Sequence, residues 1–115
     1  PGVITGERRL FLIGSVTRPK GIAIAKRGHV EQKICTLWVA PSDRSRGIGR
    51  ELLERAVEWV GVDHPLFTVP QERYEELLPL AGKLGFRETA QIKSLYRPGV
   101  IEHIFNGSQS LVLGS

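Results

Sequence analysis

The fold is decided by residues 37–50, which read Leu37-Trp38-Val39-Ala40-Pro41-Ser42-Asp43-Arg44-Ser45-Arg46-Gly47-Ile48-Gly49-Arg50. The apolar residues at the start of this stretch predict a buried strand, and the polar residues in its middle predict a short loop. The last residues predict a helix whose first turn contains Gly47 and Gly49. Glycine inside a helix costs roughly 1 kcal/mol relative to alanine, so two glycines in a first turn need a reason. The first turn of a helix carries N–H groups without intrahelical partners and the positive end of the helix dipole. Because glycine lacks a Cβ, it lets a phosphate reach these donors, and the stretch predicts an anion site.

Composition limits the class of protein. The 115 residues are enough for one domain with its own core. A single cysteine, Cys35, excludes an intrachain disulfide and fits a reducing compartment. No apolar run approaches the ~18 residues of a membrane span. We therefore expect a cytoplasmic protein without a membrane segment, and the excess of 16 Lys and Arg over 12 Asp and Glu favours anionic partners without naming one.

The first half of the chain predicts three strands and a helix. Residues 1–8 show no periodicity and are interpreted as a loose lead-in, and apolar runs at 10–13 and 21–25 predict a hairpin. Residues 33–39 predict a third strand that is apolar on both faces. Apolar residues recur with helical spacing from Ile48 to Val60, and Gly61 is a stop signal.

The second half predicts a strand, a helix and a hairpin. The strand covers 66–69 and ends at Pro70, and the helix covers 71–84, with a kink or a division into two short helices expected at Pro79. A further strand ends near Tyr96, and Pro98-Gly99 fits a type II turn that folds residues 100–105 back as an antiparallel partner. Residues 108–115 fit either a final strand or a frayed tail.

This order of elements predicts the fold class. The strand-helix-strand step between 33 and 69 implies a parallel pair, whereas the two hairpins imply antiparallel pairs. We expect an α/β (α+β) fold, in which a mixed, mostly antiparallel sheet is flanked by helices within a single domain over residues 1–115.

Two common phosphate loops do not fit residues 44–50. A Walker A loop needs Gly-Lys-Ser/Thr, but Gly49 is followed by Arg50-Glu51, and a dinucleotide fingerprint needs a small residue where Leu52 stands. The remaining pattern, R-x-x-G-x-G between a strand and a helix, resembles motif A of the GCN5-related N-acetyltransferases (GNAT), whose signature is Q/R-x-x-G-x-G/A. Leu84-Gly85-Phe86 is similar to the second landmark of that family, and the resemblance covers residues 10–105.

The resemblance implies a GNAT-like acyl-CoA N-acyltransferase fold without the usual first strand and first two helices. It implies acetyl-CoA as cosubstrate and no metal. The backbone of Leu37, Trp38 and Val39 would then bind the pantetheine arm. The predicted pyrophosphate cradle consists of Arg44, Ser45, Arg46, Gly47, Ile48 and Gly49.

The resemblance leaves the general acid open. The family commonly places a tyrosine where this chain has Ala81, and Tyr74, two turns earlier on the same helix face, is the predicted substitute, with Tyr96 behind it. A tyrosine in an apolar helix stripe is also a common packing residue, so core packing of Tyr74 stays an alternative.

The general base is equally open. The glutamate that some relatives carry early in the third strand falls at Lys33, which is a poor base unless it is desolvated. His29, Glu31 and His103 are alternatives, and a water chain is another. Cys35 has no partner spaced to activate it and is expected to be a small buried hydrophobe.

These observations predict an N-acyltransferase that moves an acetyl group from acetyl-CoA directly to a small-molecule or peptide amine. The alternative is a non-catalytic domain of this fold that binds coenzyme A or a partner protein. RNA binding is disfavoured, because there are only eight aromatic residues and no stacking motif. The edge of the C-terminal hairpin is a candidate homodimer contact.

Overall fold

The computed structural model describes residues 6–28 and 32–107. By their contacts the residues form two compact units, Pro1–Pro65 and Leu66–Ser115. The described residues contain six strands and two α-helices, and the α/β class is confirmed. In chain order they are β1 (Gly6–Gly14), β2 (Pro19–Gly28), β3 (Gln32–Val39), α1 (Ile48–Val60), β4 (Leu66–Pro70), α2 (Tyr74–Lys83), β5 (Glu88–Lys93) and β6 (Ile101–Phe105). The single-domain expectation stays a prediction.

The first unit is an antiparallel meander, β1-β2-β3, with α1 packed against it. The buried face of α1 is the predicted apolar stripe and includes Leu52, Leu53 and Ala56, which are fully buried. Gly21 on β2 permits close packing, because a Cβ there would lie 2.7 Å from atoms of both Ile48 and Leu52. The start of α1 is therefore held tightly against the sheet.

The N-terminal boundary differs from the prediction. β1 begins at Gly6, so the loose lead-in is wrong for residues 6–8, and residues 1–5 lie outside the described ranges. The polar residues Glu7 and Arg8 are exposed and continue the ladder opposite Arg27 and Lys26. Backbone pairing along an edge strand does not require apolar side chains, so hydropathy alone could not locate this end.

The second unit has the strand order β4-β6-β5, with antiparallel pairs, and contains α2. Its core includes three phenylalanines: the ring centroid of Phe67 lies 5.9 Å from that of Phe86 and 5.9 Å from that of Phe105. A second cluster joins Leu66 and Ile104. Phe86 of the Leu-Gly-Phe landmark is thus a core residue.

The C-terminal hairpin forms as predicted, but its first strand is shorter. Gly99 has a φ of +77°, and the Val100 N–H donates to the Arg97 carbonyl at 3.2 Å, as a type II turn at Pro98-Gly99 requires. β5 ends at Lys93 and not near Tyr96, because residues 94–99 form the connecting loop. Residues 108–115, left open between strand and tail, lie outside the described residues.

The second helix also departs from expectation. α2 begins at Tyr74, after a short 3-10 helix at Gln71–Arg73, and continues through Pro79, so a division into two helices at that residue is wrong. The proline deprives the Glu75 carbonyl of its helical partner, and both residues are exposed, so water can serve that carbonyl. Within the described ranges, no helix has the length and apolar character needed to cross a membrane.

Candidate functional site

The loop after β3 is fixed by backbone hydrogen bonds at its start. The Ala40 N–H donates to the Lys20 carbonyl at 2.8 Å, which continues the β2–β3 ladder beyond Val39. The Asp43 N–H donates to the Ala40 carbonyl at 2.8 Å and closes a 3-10 helix at Pro41–Asp43. The Arg44 Nε–H donates to the Val39 carbonyl at 3.4 Å. The loop therefore leaves the strand in one defined direction.

Gly47 lies at the N-cap of α1 and not inside its first turn, which corrects the prediction. Its φ of +82° is left-handed, and its carbonyl accepts the first helical hydrogen bond, from the Glu51 N–H at 3.0 Å. Glycine is favoured here because other residues pay a steric cost in this conformation. The backbone conformation therefore favours glycine at this position whether or not a ligand binds beside it.

The start of α1 fits an anionic group. Among the described residues, no side chain caps this helix, and a Cβ added to Gly47 would meet nothing within 4 Å. The space beside Gly47 is therefore open, and the helix dipole favours negative charge at the first-turn N–H groups. Arg44, Arg46 and Arg50 are exposed around the turn. A pyrophosphate matches both the donors and the charge.

The three strand residues assigned to the pantetheine arm lie at the end of β3. Leu37 and Val39 are buried, whereas Trp38 is half-buried. The backbone pairs them with β2, Leu37 opposite Ala23 and Val39 opposite Gly21. The assignment of these residues and of 44–49 to coenzyme A stays a prediction.

A chain of short hydrogen bonds in the second unit connects Tyr74, Glu88, His103 and Gln71. The Tyr74 hydroxyl donates to Glu88 Oε1 at 2.5 Å, and His103 Nδ1 lies 2.6 Å from Glu88 Oε2. His103 Nε2 lies 2.6 Å from the Gln71 side-chain oxygen. The Tyr74 and His103 rings stack with their centroids 3.7 Å apart. His103 is 4% exposed, so the chain leads from a buried imidazole to a half-buried phenol.

The pKa shifts in this cluster follow from these contacts. Burial pushes the pKa of Glu88 upward, but hydrogen bonds from Tyr74, His103 and Gln91 outweigh burial and bring the pKa below its ordinary value. The hydrogen bond to Glu88, together with burial and the carboxylate charge, raises the pKa of the Tyr74 hydroxyl. At neutral pH, Glu88 is therefore a carboxylate and Tyr74 a neutral phenol that donates to it.

The other predicted catalytic residues lie apart from this cluster or outside the described ranges. Tyr96 is 53% exposed in the β5–β6 loop, and Ala81 is fully buried. Lys33 is buried at the start of β3. His29 and Glu31 lie outside the described residues.

Cys35 is half-buried and not fully buried as expected. The β2–β3 ladder passes from Thr36 to Ile34, so Cys35 is the extra residue of a bulge. A bulged residue leaves the regular alternation of faces, which explains its partial exposure.

Glu88 and Gln71 are the site residues that the sequence analysis missed. Glu88 is 14 residues from Tyr74 and 15 from His103 along the chain, so local spacing does not connect them. The hairpin turn at Pro98-Gly99 is the only sequence signal that brings β5 beside β6. Counting back from it fails near Glu88, because the register shifts between Glu88 and Ala90.

Comparison with protein-family models gives a match to the acetyltransferase (GNAT) family over residues 9–86. The chain belongs to this family. The matched range contains the whole loop after β3, α1 and the Leu-Gly-Phe landmark, which were the residues that carried the resemblance. No curated protein matches the sequence.

Solved structures of GNAT proteins share the fold. The ribosomal-protein-S18-alanine N-acetyltransferase of Escherichia coli superposes with a TM-score of 0.68 at 21% identity, covering 85% of this chain and 66% of its own. An acetyltransferase of Bacillus cereus superposes with a TM-score of 0.65 at 21% sequence identity. The match covers 87% of this chain and 71% of the Bacillus cereus chain. An aminoglycoside 6'-N-acetyltransferase complexed with coenzyme A superposes with a TM-score of 0.65 at 13% sequence identity. The match covers 86% of this chain and 71% of the aminoglycoside enzyme. The chain thus spans about two thirds of the length of these structures.

The residue types around the site do not suggest a metal centre. Within residues 6–28 and 32–107, no group of three or more His, Cys, Asp or Glu side chains is placed to hold a metal ion.

Proposed function

We propose that this GNAT-family chain is an acyl-CoA-dependent N-acetyltransferase that moves an acetyl group from acetyl-CoA directly to an amine. The observation that carries the proposal is the start of α1, where uncapped N–H groups, a left-handed glycine and three exposed arginines follow directly after β3. Family membership supports acetyl-CoA as the anion that this turn accepts.

The proposed roles follow the chemistry of thioester aminolysis. When bound, acetyl-CoA supplies an activated acetyl carbonyl, and the residues of 44–49 hold its pyrophosphate by N–H groups and positive charge. Backbone groups of Leu37, Trp38 and Val39 orient the pantetheine arm. Tyr74 and Tyr96 are the proposed proton-transfer residues, and Tyr74 is favoured because its phenol is held in a defined network.

The acceptor is proposed to be a small-molecule or peptide amine. Among the structures of similar fold, one acts on aminoglycosides and another on the alanine of a ribosomal protein, so both kinds of amine occur within this architecture. We further propose a cytoplasmic protein, on the basis of its single cysteine, and a homodimer formed through the β5 edge of the second unit.

Thiol release from acetyl-CoA in the presence of a panel of amines and peptides tests the proposal. The variant Arg46→Gln should raise the KM for acetyl-CoA about tenfold, because one charge-assisted contact to the pyrophosphate is lost. Arg87→Gln, an exposed arginine of the second unit, removes the same charge and should leave this KM within about twofold. Equal effects of the two substitutions would contradict the assignment of the site.

One observation favours the alternative of a non-catalytic coenzyme A domain. The position of the family's usual tyrosine is occupied by Ala81, which is buried and has no proton to give. Tight binding of acetyl-CoA with no thiol release from any amine in the panel would identify the alternative.

A further inference from the structure

A groove lies between the edge strand β1 and the C-terminal half of α1, entirely within the first unit. Its volume is about 450 Å³, which is in the range of small-molecule sites in proteins. Three arginines, one glutamate and two aromatic residues line it: Arg9, Phe11, Arg27, Arg55, Glu58 and Trp59. Arg55 and Trp59 lie about 12 and 18 Å along the helix axis from Gly47, at a rise of about 1.5 Å per residue. The groove is therefore separate from the turn proposed for the coenzyme A pyrophosphate.

The sheet register explains why space is left at this place. Arg9 and Phe11 lie opposite Ala25 and Ala23 of β2, and both alanines are fully buried. α1 packs mainly over β2 and β3, so the side chains of β1 on this face are only partly covered by the helix. Phe11 meets Trp59 edge to face, with 6.2 Å between the ring centroids. Strand and helix thus form the two walls of the groove, and these aromatic rings join them.

The Arg27 guanidinium is held in place before any ligand binds. It lies over the Trp59 ring at 4.3 Å from the centroid, its Nε–H donates to Glu7 Oε1 at 3.0 Å, and Nη1 donates to the Trp59 carbonyl at 2.9 Å. These contacts with described residues use two of the five N–H donors of the group. The remaining donors are on Nη1 and Nη2, the edge that binds a carboxylate or phosphate through two parallel hydrogen bonds.

Two lining side chains of opposite charge have no ionic partner among the described residues. The Arg9 guanidinium lies 5.6 Å from the Phe11 ring centroid and makes no ion pair, and Glu58 on α1 makes neither an ion pair nor a hydrogen bond. Arg55, in contrast, is already paired with Glu51. The groove therefore offers an unpaired cation from the strand and an unpaired anion from the helix, together with aromatic surface.

A matching ligand carries an oxyanion, a cationic N–H donor and an apolar body. A plain anion such as phosphate would meet the arginines but also the negative charge of Glu58, to which it has no proton to offer. A free α-amino acid combines all three features on one small skeleton. We propose that the groove binds a free α-amino acid with an apolar or aromatic side chain. Its carboxylate contacts Arg9 and Arg27, its ammonium donates to Glu58, and its side chain packs on Phe11 and Trp59.

Ligand analogues test the chemical class by isothermal titration calorimetry of the whole chain. The probe is L-phenylalanine, which should bind with a dissociation constant of about 1 mM or lower. 3-Phenylpropanoate lacks the ammonium and phenethylamine lacks the carboxylate, so each should bind at least about tenfold more weakly. Equal binding of either analogue would overturn the proposal, and so would inorganic phosphate that binds more tightly than L-phenylalanine and displaces it.

The two tryptophans provide a local readout of the site. Trp59 lines the groove, whereas Trp38 pairs with Ile22 and lies on the opposite face of the sheet from Phe11. In a ¹H–¹⁵N spectrum, L-phenylalanine should shift the indole N–H signal of Trp59 and leave that of Trp38 in place. A Trp59 signal that does not move while L-phenylalanine binds would overturn the proposal, because the amino acid would then bind elsewhere.

Matched substitutions test the two charges. Arg9→Gln should weaken L-phenylalanine binding about tenfold, whereas Arg8→Gln should change it by less than about twofold, because adjacent side chains of a strand point to opposite faces. Glu58→Gln should likewise weaken binding about tenfold, and Glu54→Gln, at an exposed glutamate of α1 that does not line the groove, should not. All four side chains are exposed, so the variants should keep the dispersed spectrum of the folded chain. Equal effects within either pair would overturn the assignment of the groove.

Discussion

Glu88 receives hydrogen bonds from a phenol, an imidazole and an amide, and these interactions link the stability of the protein to pH. The pKa of Glu88 is below its ordinary value of 4.5 in the folded chain. Below about pH 5, the unfolded chain therefore binds more protons at this residue than the folded chain does. Stability contributed by Glu88 is present above this range and is lost as the pH falls through the lowered pKa.

We predict that Glu88→Gln makes the acid side of the stability curve shallower. Urea unfolding at a series of pH values should show the free energy of unfolding of the unmodified chain falling more steeply below about pH 5 than that of the variant. Glu75→Gln should keep the steep profile, because Glu75 is exposed and outside the network. Identical slopes for the unmodified chain and Glu88→Gln would show that the network does not hold the carboxylate.

The residues of this network mark a limit of sequence analysis. Tyr74 was selected for its helix position, and His103 was one of several possible bases, but their common partner Glu88 was not found. Their contact depends on a hairpin register that shifts between Glu88 and Ala90. A bulge of this kind is not visible in the alternation of the strand sequence, so the sequence does not identify Glu88 as the common partner.

The start of α1 shows how a local signal can be correct while its cause is misassigned. Gly47 was predicted as a helical glycine that makes room for a ligand, and it lies instead at the N-cap with φ of +82°. The glycine signal at Gly61 was assigned correctly, since that residue caps the C-terminus at φ of +87° and donates to Val57 at 3.0 Å. Local turn chemistry was thus predictable, whereas helix boundaries were less accurate: the second helix was predicted over 71–84, and α2 covers Tyr74–Lys83.

Substitution of Gly47 separates its backbone role from a ligand role. Gly47→Ala should lower the free energy of unfolding by about 1 kcal/mol, because alanine is strained at this φ although nothing lies within 4 Å of its Cβ. Gly47→Asn should cost less, since asparagine tolerates the left-handed conformation better. Chemical denaturation measures both, and an alanine variant as stable as the unmodified chain would contradict the conformational account.

The close packing of α1 against β2 at Gly21 predicts that even a small added side chain there destabilises the fold. Gly21→Ala should lower the free energy of unfolding by about 1–3 kcal/mol, because the new methyl group would lie 2.7 Å from atoms of Ile48 and of the fully buried Leu52. Gly82→Ala is the matched control: it lies in α2 with nothing within 4 Å, and it should stabilise the chain by about 0.5–1 kcal/mol. Equal effects would show that α1 is not closely packed at Gly21.

At the scale of the whole molecule, the aromatic residues allow the two units to be followed separately. Both tryptophans, Trp38 and Trp59, belong to the first unit, and both tyrosines, Tyr74 and Tyr96, belong to the second. The single-domain proposal predicts that tryptophan fluorescence and tyrosine absorbance report the same unfolding midpoint in urea. Two separate midpoints would mean that each unit unfolds on its own.

The α/β class, all six strands and both helices were predictable, because strand and helix periods and turn residues are local properties of the sequence. The edge strand β1 was predicted too short because it is held by backbone pairing and not by apolar side chains. The donor site could be proposed from R-x-x-G-x-G between a strand and a helix, together with Leu84-Gly85-Phe86, because these signals are local. The hydrogen-bonded network of Tyr74, Glu88 and His103 joins residues from α2, β5 and β6.

Binding of acetyl-CoA is the central claim, and isothermal titration calorimetry at low ionic strength tests it most directly. The account predicts one site per chain with a dissociation constant in the micromolar range, weaker binding at higher salt, and about tenfold weaker binding by Arg46→Gln than by Arg87→Gln. Absence of binding at high micromolar acetyl-CoA by the folded, unmodified chain would contradict the account.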